Sequence, residues 1–151
     1  MIDSKELERN ILNDMRVELT EEFDRNFERK AFFNDKWKPR KKEGKGSLLV
    51  VTGSMRRSIR SSIKGNSVVF TSPYPYTSVH NEGGIYNQNV RAHNRTNRKT
   101  GRTCRVKAHT RKMNMPKRQF IGDSREVRSI IKNIVDDNMK DYRTHLRGIL
   151  K

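Results

Sequence analysis

The sequence predicts an α+β fold: long N- and C-terminal helices packed on a small, mostly antiparallel sheet with a long basic β-hairpin. Three observations predict it. Apolar residues recur at helical spacing near both ends of the chain. Short apolar or alternating segments bounded by Gly, Pro and Asn fill the middle. No acidic side chain stands between Gly83 and Gly122. With 151 residues, the chain reads as a single domain spanning 1–151.

Residues 4–31 form the first helix on this reading. Leu7, Ile11, Met15, Leu19, Phe23 and Phe27 recur every four residues, Leu12 widens the stripe, and Ser4 is placed to cap the start. Asp3, Glu6 and Glu8 stand at the end where exposed backbone N–H groups favour negative charge. At about 1.5 Å per residue this helix is roughly 40 Å long. That length predicts an interface role for Phe23 and Phe27 beyond closing their own core.

Residues 34–47 break the pattern with Pro39, a basic run, Gly44 and Gly46, so they read as a loop from which Trp37 plugs back onto the body. The apolar run 48–51 ends at Thr52-Gly53, which turns the chain into a short helix over 54–63, capped by Thr52 or Ser54. Gly65-Asn66 is a turn and 67–72 a strand. Pro73 and Pro75 keep the next stretch extended or turned. Gly83-Gly84 permits a tight reversal. Residues 85–93 and 103–110 alternate around a polar tip, and a β-hairpin is the economical reading; a disordered loop is the competitor, because Asn and Arg fill strands poorly. Residues 67–72, 85–93 and 103–110 are expected to share one sheet. Pro116 fixes the approach of Phe120 to the core, and a second amphipathic helix runs over 124–150, capped by Asp123 or Ser124.

Charge is strongly asymmetric. The formal net charge is +17, yet residues 1–35 carry net −4 while residues 36–122 carry net +19. Such a field attracts polyanions or acidic protein surfaces. A solvated basic loop that only maintains solubility is the plain alternative. The exposed contacts to DNA or to an acidic partner are assigned to Arg91, Arg95, Arg98, Lys99, Arg102, Arg105, Lys107, Arg111 and Lys112. Tyr86 is the one aromatic residue between Gly83 and Gln119, so platforms for stacking bases are scarce. Backbone neutralisation without sequence reading is the expected mode.

No apolar run approaches the roughly 18 residues of a membrane span. Residues 1–20 lack a signal-peptide core. A single cysteine, Cys104, excludes an internal disulfide and a multi-thiolate zinc site. The histidines show no HExxH spacing, and His80 beside Glu82 reads more simply as a hydrogen-bonded turn residue than as a general base. Gly44-Lys45-Gly46-Ser47 is not a phosphate-binding P-loop. The expectation is a non-enzyme with no catalytic residues, no metal and no cofactor.

Four stretches together resemble the phage virion morphogenesis family, the tail-completion or head–tail joining proteins of Mu-like phages. They are Trp37 with Pro39 and its basic neighbours, LLVVTGSMRRSI from Leu48, YPYTSVHNEGG from Tyr74, and MPKRQFIGDS from Met115. Met55 and Thr77 depart from the usual leucine and alanine. The motif residues are Trp37, Thr52, Gly53, His80, Gly83, Gly84, Pro116, Phe120 and Gly122. The resemblance implies a structural virion protein that joins head or neck to tail as a subunit of a hexameric or dodecameric ring. Its implied partners are further copies of itself, portal or adaptor, neck and tail proteins, and packaged DNA, with no membrane. It would reside at the head–tail junction or tail end, and in the host cytoplasm during assembly. The competing reading is a basic, non-specific nucleic-acid-binding accessory protein acting as a monomer or dimer.

Overall fold

A computed structural model describes residues 3–40 and 46–149; the basic loop residues expected at 41–45, and residue 150, to which the last helix was expected to run, lie outside the described residues. Helix α1 spans Ser4–Arg29 and helix α4 spans Arg125–Ile149. The two pack as an antiparallel pair. Asn34 reaches Glu126 at one end (3.2 Å), and Asn138 donates to Asp14 (2.8 Å) further along. Asp3, one residue before the expected Ser4, caps α1 by accepting from the Glu6 N–H at 2.7 Å. At α4 the Ser124 hydroxyl accepts from the Val127 N–H at 3.2 Å, as expected.

The middle of the chain contributes short elements. Strands β1 (Ala31–Phe32) and β2 (Asp35–Lys36) form a tight hairpin after α1. Helix α2 is only Ser54–Ser58, and strand β3 (Arg60–Lys64) pairs antiparallel with β4 (Ser67–Thr71). The expected helix over 54–63 therefore ends early. Ile59 takes an extended backbone, and the β-branched and serine residues after it find a ladder partner across the Gly65 turn. Gly53, in a left-handed conformation, occupies the N-cap position of α2, and Thr52 just outside it accepts the Ser54 N–H on its Oγ1 at 3.3 Å. After the two prolines, which were expected to leave the chain extended or turned at the start of this stretch, helix α3 (Tyr76–Glu82) forms with Pro75 as its N-cap, which costs no intrahelical bond.

Strands β5 (Gly84–Val90), β6 (His93–Thr96), β7 (Thr103–Val106) and β8 (His109–Met115) make one antiparallel ribbon. Gly84 faces Met115 at the root and Thr96 faces Thr103 near the tip, with the same register on both sides of an interruption at 91–92 and 107–108. The single sheet expected for 67–72, 85–93 and 103–110 is not formed. Residues 67–71 pair with 60–64, and the described residues form four separate two-stranded ladders.

Two apolar clusters sit beneath these elements. Leu19, Phe23, Phe32 and Val127 join α1 to α4, with Phe70 packed edge-on against Phe23 at 5.0 Å. Phe27, Trp37, Met55 and Phe120 form the second, with the Phe27 ring 4.8 Å from Phe120 and 5.8 Å from Trp37. Phe23 is 4% and Phe27 1% exposed in the single chain, so neither has surface left to offer a neighbour. The interface role expected of them is corrected to a core role. Each stabilises the fold by about 1.5–3 kcal/mol of burial.

Candidate partner-binding arm and its clasp

All nine cations assigned to anionic contacts lie on the ribbon, and all nine are exposed. None enters an ion pair among the described residues; Arg111 instead donates its Nε to the Gln88 side chain across the ladder at 2.8 Å. At about 3.3 Å per residue the ribbon is roughly 40 Å long. Its side chains are exposed on both faces, with only Tyr86, Val90, Val106, Met113 and Met115 half-buried. The tip is ordered by local chemistry. Asn97 Oδ1 accepts from the Lys99 N–H at 2.9 Å, and Gly101, at φ +68°, closes the turn through its N–H to the Asn97 carbonyl at 2.8 Å. Cys104 is exposed on β7.

An isolated two-stranded ribbon is marginal alone in water. What holds this one is a clasp at its root, built from the motif residues. Gly83 ends α3 at φ +66°, and a Cβ there would lie 2.5 Å from the Lys117 backbone nitrogen, so only glycine lets the outgoing and returning chains approach this closely. The returning chain is then fixed at successive residues. The Arg118 N–H donates to the His80 carbonyl (2.9 Å). Asn81 Oδ1 accepts from the N–H groups of Phe120 (2.9 Å) and Ile121 (3.1 Å), and Asn81 Nδ2 donates to the Ile121 carbonyl (3.0 Å). From the other side the Trp37 indole N–H donates to the Gln119 carbonyl (2.5 Å), and Asn26 Nδ2 donates to the Phe120 carbonyl (3.1 Å). Arg118, 7% exposed, donates Nε to the Lys38 carbonyl at 3.1 Å and so ties down the loop that carries Trp37.

Trp37, His80, Gly83, Gly84, Pro116, Phe120 and Gly122 thus meet in one body at the base of the arm. Thr52 and Gly53 lie across a cleft of about 260 Å³ from His80 and Arg118. His80 is not the hydrogen-bonded turn residue expected: it sits on α3, and its buried Nδ1 has no hydrogen-bond partner. Burial, and next the charge of Arg118, hold its imidazole below the ordinary 6.5. Burial, and next the charge of Arg40, likewise lower the pKa of Arg118. Sequence reasoning did not single out Asn26, Asn81 or Arg118 as clasp residues. The signal available was slight: Asn81 and Arg118 stand inside two of the motif stretches, and Asn26 is a polar residue beside the apolar stripe of α1.

The arrangement offers rigid presentation of positive charge. Among the described residues no group of His, Cys, Asp or Glu is placed to hold a metal ion, and no helix is long and apolar enough to cross a membrane. Comparison with curated proteins and with solved structures gave no match. The motif stretches that build the clasp and the helices that flank them all fall within or overlap the region matched by one family model. With residues 2–140 matched, the chain belongs to the phage virion morphogenesis family.

Proposed function

We propose that the protein is a structural subunit that joins head or neck to tail, as one copy of a ring-like connector or tail-completion assembly. Family membership supports a role in building the virion. The observation that carries the finer reading is the arm: a ribbon exposed on both faces, which finds no packing surface on its own body yet is rigidly clasped to it. Such an element is completed by something outside the subunit. In a closed hexameric or dodecameric ring, symmetry would repeat the arm around the lumen or along one rim. There it would meet portal or adaptor, neck or tail proteins, or packaged DNA. The work is binding and positioning, without catalysis, in the virion and beforehand in the host cytoplasm.

The charge of residues 36–122 favours the second reading, a monomeric or dimeric accessory protein that coats nucleic acid. Reconstruction of the assembled particle tests the choice. A closed ring of α+β subunits at the head–tail junction or tail end is expected. A particle that lacks the chain, together with a purified monomer or dimer that retains DNA, would replace the connector reading with the accessory one.

A further inference from the structure

The ribbon carries an internal repeat that its pairing makes visible. Val90-Arg91-Ala92-His93-Asn94-Arg95 on the outgoing strand corresponds to Val106-Lys107-Ala108-His109-Thr110-Arg111 on the returning one. Val90 pairs with His109, and Val106 pairs with His93. Both strands leave the ladder at the basic-Ala step, residues 91–92 and 107–108. In both, the histidine Nδ1–H donates to the carbonyl two residues earlier, His93 to Arg91 and His109 to Lys107, each at 2.9 Å. Exchanging the strands therefore keeps the pairing, both histidine hydrogen bonds and four of the six residue types, with Arg91 exchanged for Lys107 and Asn94 for Thr110. That is the relation a two-fold axis through the interruption imposes.

We infer that the arm binds double-stranded DNA in a groove, the local two-fold of the ribbon lying on a local two-fold of the duplex, with equivalent cations meeting the two phosphate chains. A duplex is two antiparallel chains related by such axes, and two antiparallel peptide strands with matched cations are its natural counterpart. The major groove, about 12 Å wide, admits a two-stranded ribbon. A twisted ribbon also follows a groove better than a flat surface does. Arg91 with Lys107 stand beside the axis, and Arg95 with Arg111 stand outward of it. With Nδ1 committed to the backbone, Nε2 of each histidine is left for an outside partner. A protein partner is the poorer match. The half-buried Tyr86, Val90, Met113 and Met115 share one face at the root half only; the half beyond the interruption has just Val106 half-buried, and no carboxylate stands between Gly83 and Gly122 to pair with a partner's cations. The inference goes beyond the connector reading and stands whether or not the chain closes into a ring.

The test is fluorescence anisotropy of the full chain with a labelled random-sequence duplex of about three helical turns, and with a single strand of equal length, across a salt series. The wild type should prefer the duplex. The variant with Arg91→Ser and Arg95→Ser and the variant with Lys107→Ser and Arg111→Ser should lose affinity equally, by roughly tenfold or more. Each should lower the salt slope by about 1.8, two phosphate contacts. The tip variant with Arg98→Ser and Lys99→Ser should lose less than half as much on the logarithmic scale. All substituted side chains are exposed, and unchanged Trp37 emission verifies the fold. Equal losses from the tip and from either half overturn the symmetric site in favour of diffuse charge. Unequal losses from the two halves, equal affinity for the single strand, or no DNA binding by the wild type also overturn it, the last returning the arm to a protein partner. Particle assembly is read separately, so failure here leaves the connector reading standing.

Discussion

Replacing Asn81 by alanine removes three hydrogen bonds at once and leaves their backbone partners behind. The Phe120 and Ile121 N–H groups lose the acceptor they share, and the Ile121 carbonyl loses its donor. An unsatisfied buried group costs about 1–3 kcal/mol. Asn81 is half-buried, so water reaches part of the vacated space and the lower end applies, for a total of about 2–4 kcal/mol. For a chain of this size that lowers the melting midpoint by roughly 5–15 °C. Asn89→Ala is the control: it deletes one exposed side-chain bond to Thr110, at 2.9 Å on the ribbon, and should stay within about 0.5 kcal/mol. Calorimetry gives the midpoints, and native-state hydrogen exchange at the Phe120 amide reports the clasp directly. A midpoint within 2 °C of wild type, with protection at Phe120 retained, would falsify the view that Asn81 anchors the arm.

Gly83→Ala meets a left-handed φ and the Lys117 backbone together and should cost at least about 2 kcal/mol in urea denaturation, against about 1 kcal/mol for Gly65→Ala, where φ is +58° and the space is open. Because His80 is held below 6.5 in the folded chain, the unfolded chain binds more protons beneath that pH; stability should fall as pH drops from about 6.5, and His80→Gln should flatten this limb in denaturation measured from pH 7 to 5. Arg56 bridges Asp24 (Nε to Oδ1, 2.6 Å) and Glu28 (2.7 Å), so Arg56→Ala should cost about 1 kcal/mol in dilute buffer. The difference should shrink in molar salt, and a salt-independent loss would point to packing instead.

The two long helices and the ribbon were legible because each writes a local rule into the sequence. Phe23 and Phe27 sit on a helical stripe, and the polar tip, closed by Asn97 and Gly101, separates two alternating runs. The length of α1 suggests an outside neighbour for Phe23 and Phe27, but neither length nor stripe says what covers them, and Phe70, Trp37 and Phe120 from the same chain do so. Strand partnership was not legible. Val68 and Val69 suit a ladder with any extended neighbour, and the choice of 60–64 was settled by the tight Gly65 turn rather than by composition. The clasp was legible only as a set of motif residues. Its hydrogen bonds span from Asn26 to Phe120 and from Asn81 to Phe120, distances along the chain at which no periodicity carries information.

The buried Asn26 has a consequence for synthesis. Its side chain is fully shielded, with the amide given to the Phe120 carbonyl and the oxygen to the Phe33 N–H at 3.0 Å. When α1 leaves the ribosome, only the second of these partners exists. Until residue 120 follows, the stripe can meet Phe32, Trp37, Met55 and Phe70 but not Phe120, and α4, which covers the same helix, arrives later still. Closure of both clusters must therefore wait until Phe120 and Val127 have been made. Nascent chains arrested before residue 120 would leave Leu19 and Phe23 without Val127, and Phe27 without Phe120. A cell making many copies at once would hold a population of such open chains whose size is set by elongation speed rather than by the stability of the finished subunit.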